Sequence, residues 1–258
     1  MGLSIMTNVA SLNAQRNLAQ TNLALGKSIG RLSSGLRINM AADDAAGLGI
    51  SEKLKSQIRG LGQAERNAND GISMLQTAEG GMNEASSILT RMRELAIQSA
   101  NGTLGTQERS FLQTELVQLR SEIDRIANVT EFNGRRLLDG SVGTLKFQVG
   151  IHSGANYQIS TTVAAMNASA LGFGVGSTIS SLSVTTDTTA LAALRVIDEA
   201  IGDVSAARSV MGSVQNRLQV TVTNLMSARE NISAANSRIR DVDVAEETAS
   251  LTRSNILM

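Results

Sequence analysis

The run Gly172-Phe173-Gly174-Val175-Gly176-Ser177 has the glycine density of a loop that cradles phosphate. Such a site also needs a strand before it, a helix N-terminus after it and, in the P-loop form, a Lys, and no Lys stands there. A flexible surface loop is the expectation. His152 is the single His and the chain has no Cys, so no second imidazole or thiolate can share a metal with it. Asp43-Asp44 and Glu246-Glu247 are paired carboxylates of the kind used in acid–base chemistry. Adjacent helical residues point about 100° apart and do not converge on one substrate, so helix-end charges or solvated faces are expected. Arg91, Arg93 and Glu94 form a charged helix face, and Arg238 and Arg240 stand close to Asp241 and Asp243 as an ion-pair network. None of these sets makes a catalytic constellation, so neither an enzyme nor a cofactor is expected.

The elements that must position these residues are legible in the apolar spacing. Val214, Leu218, Thr221, Leu225, Ala228, Ile232, Ala235, Ile239 and Val242 advance in unbroken steps of four and three, one seam along a helix. Extended back through Leu194, Ile197, Ile201 and Val204, the pattern predicts a helix from about 190 to 240 that slips near Arg208. Leu54, Ile58, Leu61, Ala68, Ile72, Leu75, Met82 and Leu89 make a second seam over about 45–99. Leu112, Leu116, Leu119, Ile123 and Ile126 make a shorter third. Ile5, Val9, Leu12, Leu25, Ile29 and Leu32 make a looser fourth, with no internal partner of comparable quality, so residues 1–40 are expected to order only on assembly. Asn101-Gly102, Asn133-Gly134 and Asp139-Gly140 are turn signals. The alternation of Leu145, Phe147, Val149 and Ile151, then Tyr157, Ile159 and Thr161, predicts a β-hairpin over 144–163. From 167 to 189 Ser, Thr and Gly dominate without period, an exposed irregular segment by expectation. The fold class is mainly α: an elongated antiparallel helical bundle or coiled coil with a small β-hairpin region. Its divisions are 1–44, 45–165, 166–189, 190–240 and 241–258.

Composition excludes several function classes. Lys+Arg and Asp+Glu are 23 each, which is the wrong balance for a nucleic-acid binder that neutralises phosphates. No run approaches the roughly 18 consecutive apolar residues of a membrane span, and residues 1–30 lack the apolar core of a cleaved secretory signal. Four Phe, one Tyr and no Trp leave the core to aliphatic residues. With no Pro anywhere, long helices can run without a kink.

Several longer stretches carry a resemblance. Arg31-Leu32-Ser33-Ser34-Gly35-Leu36-Arg37-Ile38-Asn39 and Asp43-Asp44-Ala45-Ala46-Gly47-Leu48-Gly49-Ile50-Ser51 closely resemble the N-terminal signature of bacterial flagellins. Ala68 to Gly80, Glu131-Phe132-Asn133-Gly134, Gln215-Asn216-Arg217-Leu218 and Glu230 to Asp241 renew it, so that it covers about 1–165 and 190–258. It implies self-assembly into the filament of the bacterial flagellum for swimming motility. The terminal segments 1–44 and 241–258 would form an inner tube, and the long-helix bundle with the hairpin an outer one. The seam residues Leu54, Ile58, Leu61, Ile72, Leu75, Leu218, Leu225, Ile232 and Ile239 fit that division. The middle is too short for an outer domain, which implies a minimal form. It further implies extracellular localisation by flagellar type III export, with the export apparatus and a chaperone, hook-associated and cap proteins and further copies of the chain as partners. In the family the last helix runs several turns beyond Ser254-Asn255-Ile256-Leu257-Met258. Recognition by the host Toll-like receptor 5 maps onto Arg91, Leu95 and Glu115, with Arg91 as exposed anchor and Leu95 burying its side chain on the receptor. A hook-filament junction protein of the same family is the alternative.

Overall fold

The computed structural model describes residues 8–258. The opening residues Met1 to Thr7, including the seam position Ile5, lie outside the described residues. In chain order the helices are α1 (Val9–Ser34), α2 (Ala45–Ala100), α3 (Thr106–Val129), α4 (Asp187–Arg240) and α5 (Val244–Leu257). Two antiparallel strand pairs lie between α3 and α4: β1 (Glu131–Phe132) with β2 (Arg135–Arg136), and β3 (Thr144–Gln148) with β4 (Gln158–Thr162). The fold is mainly α, as the seams require. Helix α4 runs unbroken through Arg208, where the seam slips: a shift of apolar phase moves the buried face without interrupting backbone hydrogen bonds. None of the described helices is long and apolar enough to cross a membrane.

The chain divides into two compact units, Met1–Gly62 with Ser227–Met258, and Gln63–Met226. In the second unit the predicted seams form one continuous core. Leu75, Met82, Leu89, Leu116, Ile123 and Leu218 are fully buried, and Leu225 is at its margin. Glu79, at a skipped seam position, accepts a hydrogen bond from Gln215 (3.1 Å) and lies 3.7 Å from Arg208, which ties α2 to α4. The β3–β4 hairpin has the predicted alternation, with Leu145, Phe147 and Ile159 turned inward. Asn133, at φ 50°, and Gly134, at φ 74°, make the two-residue turn between β1 and β2.

The segment 166–189 corrects the expectation of an exposed, irregular stretch. Met166, Ala168, Leu171, Ile179, Leu182 and Val184 are all buried in the core. Its backbone is tied in register: the N–H groups of Ile179 and Ser180 donate to the carbonyls of Leu171 (3.2 Å) and Ala168 (2.9 Å). The glycine run is likewise held rather than a free loop. Gly172 is in the left-handed region (φ 79°), its N–H donates to Asp203 of α4 at 3.0 Å, and Phe173–Val175 is a 3-10 turn. Irregular spacing hid these contacts, because a segment without repeating secondary structure buries residues without a period.

In the first unit the flagellin-like signature becomes a joint. Gly35 (φ 71°) ends α1, its N–H donating to the Arg31 carbonyl at 2.8 Å. Leu36 and Asp241 form an isolated antiparallel bridge, the Val242 N–H donates to Gly35, and the Arg37 N–H to Arg240. The Arg37 guanidinium reaches the Ile239 carbonyl at 2.7 Å. Both paired carboxylates are helix-end charges. Asp44 accepts from the Gly47 N–H at 2.8 Å, and Glu247 in the first turn of α5 lies 3.5 Å from Arg31 of α1. Asp243 caps α5 by accepting from Ala245 and Glu246. Arg240 pairs across to Glu52 of α2 (2.6 Å) rather than to its neighbouring acids. Leu54, Ile58, Ile232 and Ile239 are only half-buried in this unit, whereas Leu61 is buried. Helix α1 does have an internal partner, α5. Even so, Val9, Leu12, Leu18, Leu23 and Ile29 remain exposed.

Asp43 makes the turn that follows the joint sensitive to acid. Its carboxylate accepts from the N–H groups of Met40 and Asn39, both at 3.2 Å, and these bonds hold it below the usual carboxylate range. A carboxylate with a lowered folded pKa stabilises above its unfolded value and loses that contribution as pH falls through the folded one. The Asn39 and Met40 amide resonances should therefore shift together as pH falls through the acid range below the ordinary Asp value. In Asp43→Asn that step should be absent; a step that persists would assign the transition to another group.

Candidate functional site

The charged face of α2 is built by helix phase. Arg91 and Glu94, three residues apart, share one side, and the turn at Asn101-Gly102 returns α3 alongside so that Glu115 meets them. Arg91 donates to the same Glu115 oxygen from Nη2 (2.8 Å) and Nε (3.0 Å), and to Glu94 from Nη1 at 2.9 Å. Hydrogen bonds to the Glu94 and Glu115 carboxylates push the Arg91 guanidinium above its ordinary value. Its side chain is half exposed, so the cluster adds little to stability and remains open to a partner. Arg93 points to another neighbour and pairs with Asp198 of α4 at 2.7 Å.

Leu95 corrects the expected receptor contact. Only 1% of its surface is exposed, and it belongs to the core that also holds Met92, Leu182 and Val184. A side chain already committed to the subunit's interior cannot bury itself on a second protein. The apolar residue actually beside the pair is Phe111, 66% exposed and one turn before Glu115 on α3. Sequence reasoning passed over it, although an i, i+4 relation to Glu115 and the scarcity of Phe were available signals. The structure thus joins Arg91 to Glu115 and places Leu95 in the core. His152 is an exposed side chain whose ring meets that of Tyr157 edge to face at 5.1 Å. Among the described residues no cluster of His, Cys, Asp and Glu could hold a metal ion.

Comparison with known proteins agrees with this architecture. Residues 5–143 match the bacterial flagellin N-terminal helical region and residues 194–258 the C-terminal helical region. The chain is 49% identical over 251 residues to a flagellin of Halalkalibacterium halodurans, covering 97% of this chain and 90% of that one. A crystal structure of Bacillus cereus flagellin is 33% identical with a TM-score of 0.52, over 66% of this chain and 94% of that one. A chain from Vibrio parahaemolyticus described as a flagellar hook-associated protein has a TM-score of 0.65, over 77% of this chain and 100% of that one. At 19% identity that likeness is one of fold alone. With both terminal regions matched and sequence identity sustained across nearly its whole length, the chain belongs to the bacterial flagellin family.

Proposed function

We propose that the chain is a structural subunit that polymerises into the extracellular filament of the bacterial flagellum. The observation that carries this reading is the unspent apolar surface of the terminal helices. After α1 and α5 pair, Val9, Leu12, Leu18 and Leu23 on one and Val244, Ile256 and Leu257 on the other remain exposed. Surface of this kind is stable in water when copies of the chain cover it, and different faces meeting head to tail generate a filament instead of a closed ring. Export apparatus and chaperone would deliver the chain, and hook-associated and cap proteins would bound the polymer. The sustained identity to flagellins favours the filament over the hook-filament junction. Purified monomer seeded with filament fragments should elongate them, as read by light scattering and electron microscopy. Monomer that stays unassembled at all salt and seed concentrations would defeat the reading.

The monomer also fits recognition by Toll-like receptor 5 through the Arg91–Glu115 pair, with Phe111 supplying the apolar contact in place of Leu95. Arg91→Ala should leave the melting temperature within about 4 °C of the parent, since exposed ion pairs contribute about 1 kcal/mol at most. It should lower potency in a receptor reporter assay by about tenfold or more, as removal of an interface Arg does. Unchanged potency would remove this surface from the receptor contact.

A further inference from the structure

The short middle segment builds a groove of its own against α4. Residues 162–174 and the α4 stretch from Glu199 to Met211 enclose about 560 Å³ of open, mostly apolar space, with Met166 and Leu171 among its lining. Three features of the rim are unspent. Phe173 presents 75% of its surface to solvent, and Val210 is half exposed. The Glu199 carboxylate lies against the backbone of Gly174, the residue after Phe173, and is in no ion pair among the described residues. Asp203 adds a second carboxylate, and no Lys or Arg lines the groove. A free carboxylate beside an exposed aromatic face is the chemistry that receives a guanidinium: the fork pairs with the acid while the stem and plane lie on the ring.

The same unit carries a matching projection. The β1–β2 hairpin turns in two residues, and within it Glu131 stands directly opposite Arg136, while Arg135 stands opposite Phe132 and faces no acid. Arg135 is exposed and in no ion pair among the described residues. Arg135 directly follows the Asn133-Gly134 turn, at the end of a projection that can enter a concavity, whereas its neighbour Arg136 has Glu131 opposite it. We propose that the groove is a subunit contact of the polymer, occupied by the Arg135 hairpin of a second copy, with Glu199 and Phe173 receiving the guanidinium. The complementary charges and the two distinct faces on one chain are what a head-to-tail contact requires. This proposal rests on the polymerisation reading.

The test is a charge swap in the full-length chain, with seeded elongation as the readout and melting curves of each monomer as the folding control. Glu199→Arg and Arg135→Glu should each raise the critical concentration for elongation about tenfold, and the double swap should restore most of it. Phe173→Ala should weaken elongation without altering the monomer melt. Because the chain has no Cys, Arg135→Cys and Glu199→Cys copies mixed in one polymer should form an intermolecular disulfide on oxidation. If the parent elongates and both single swaps elongate equally well, the groove is not a contact. If only Glu199→Arg is impaired, or the double swap is no better than the singles, another element fills the groove and the proposal falls. Failure of the parent itself would instead defeat the polymerisation reading.

Discussion

Leu95→Ala should destabilise the isolated monomer by about 2–5 kcal/mol, the cost of emptying a fully buried leucine site whose neighbours relax only in part. At about 2–4 °C per kcal/mol for a chain of this size, the melting midpoint should fall by about 4–20 °C. The loss arises because Leu95 is packed in the core with Met92, Leu182 and Val184. Helix α2 also holds Ser99 there, its hydroxyl donating to the Val184 carbonyl. The consequence for receptor experiments is direct. A reporter-cell loss in the Arg91→Ala, Leu95→Ala double variant would mix a lost surface cation with a loosened subunit, so Arg91→Ala and Phe111→Ala are the cleaner pair. A Leu95→Ala monomer that melts within about 2 °C of the parent would show that Leu95 is not packed in the core in solution.

Gly172→Val should be the most damaging single change in the middle segment, costing about 3 kcal/mol or more. Two penalties combine. The residue holds φ 79°, where a β-branched side chain is a strained outlier. A Cβ there would also stand 2.7 Å from Cγ1 and 2.9 Å from the carbonyl oxygen of Val196 on α4. Val196 is itself buried, so the collision is with side chain and helix backbone that have no room to yield. Gly172→Ala keeps the close approach but removes the branching, and should cost about 1–3 kcal/mol. Thermal melts order the two variants. Hydrogen exchange should show first loss of protection at the Ile179 and Ser180 amides, whose acceptors flank the glycine turn. If both variants melt like the parent, the segment is not docked as described.

Much of the architecture was legible because it repeats. Ala68, Leu75, Met82, Leu89 and Ala96 follow one another every seven residues and are buried in turn. Tyr157 to Thr161 and Leu145 to Val149 alternate as a hairpin must. The same phase condemns Leu95 as a surface residue: Met92, Leu95, Ala96 and Ser99 fall at the i, i+3, i+4, i+7 spacing of a buried face. Family likeness transferred the residue type but not its exposure. The middle segment was illegible for the opposite reason. Met166, Leu171, Ile179 and Val184 are placed by turns of unequal length, and nothing local distinguishes them from apolar residues in an exposed loop. The β1–β2 pair was visible only as the Asn133-Gly134 turn, since strands of two residues have no alternation to read.

The joint formed by Leu36 with Asp241 also sets a timetable. Arg37 and Ile239 are 202 residues apart in the chain, so their hydrogen bonds close a loop that contains most of the protein. The entropy of that closure grows only logarithmically, to on the order of 5 kcal/mol, but it must be met before the bonds return anything. No part of the bridge can therefore exist in a chain that has only half emerged from a ribosome or any narrow pore. The joint is a completion mark: it forms only in a molecule in which Leu36 and Asp241 are both present to meet.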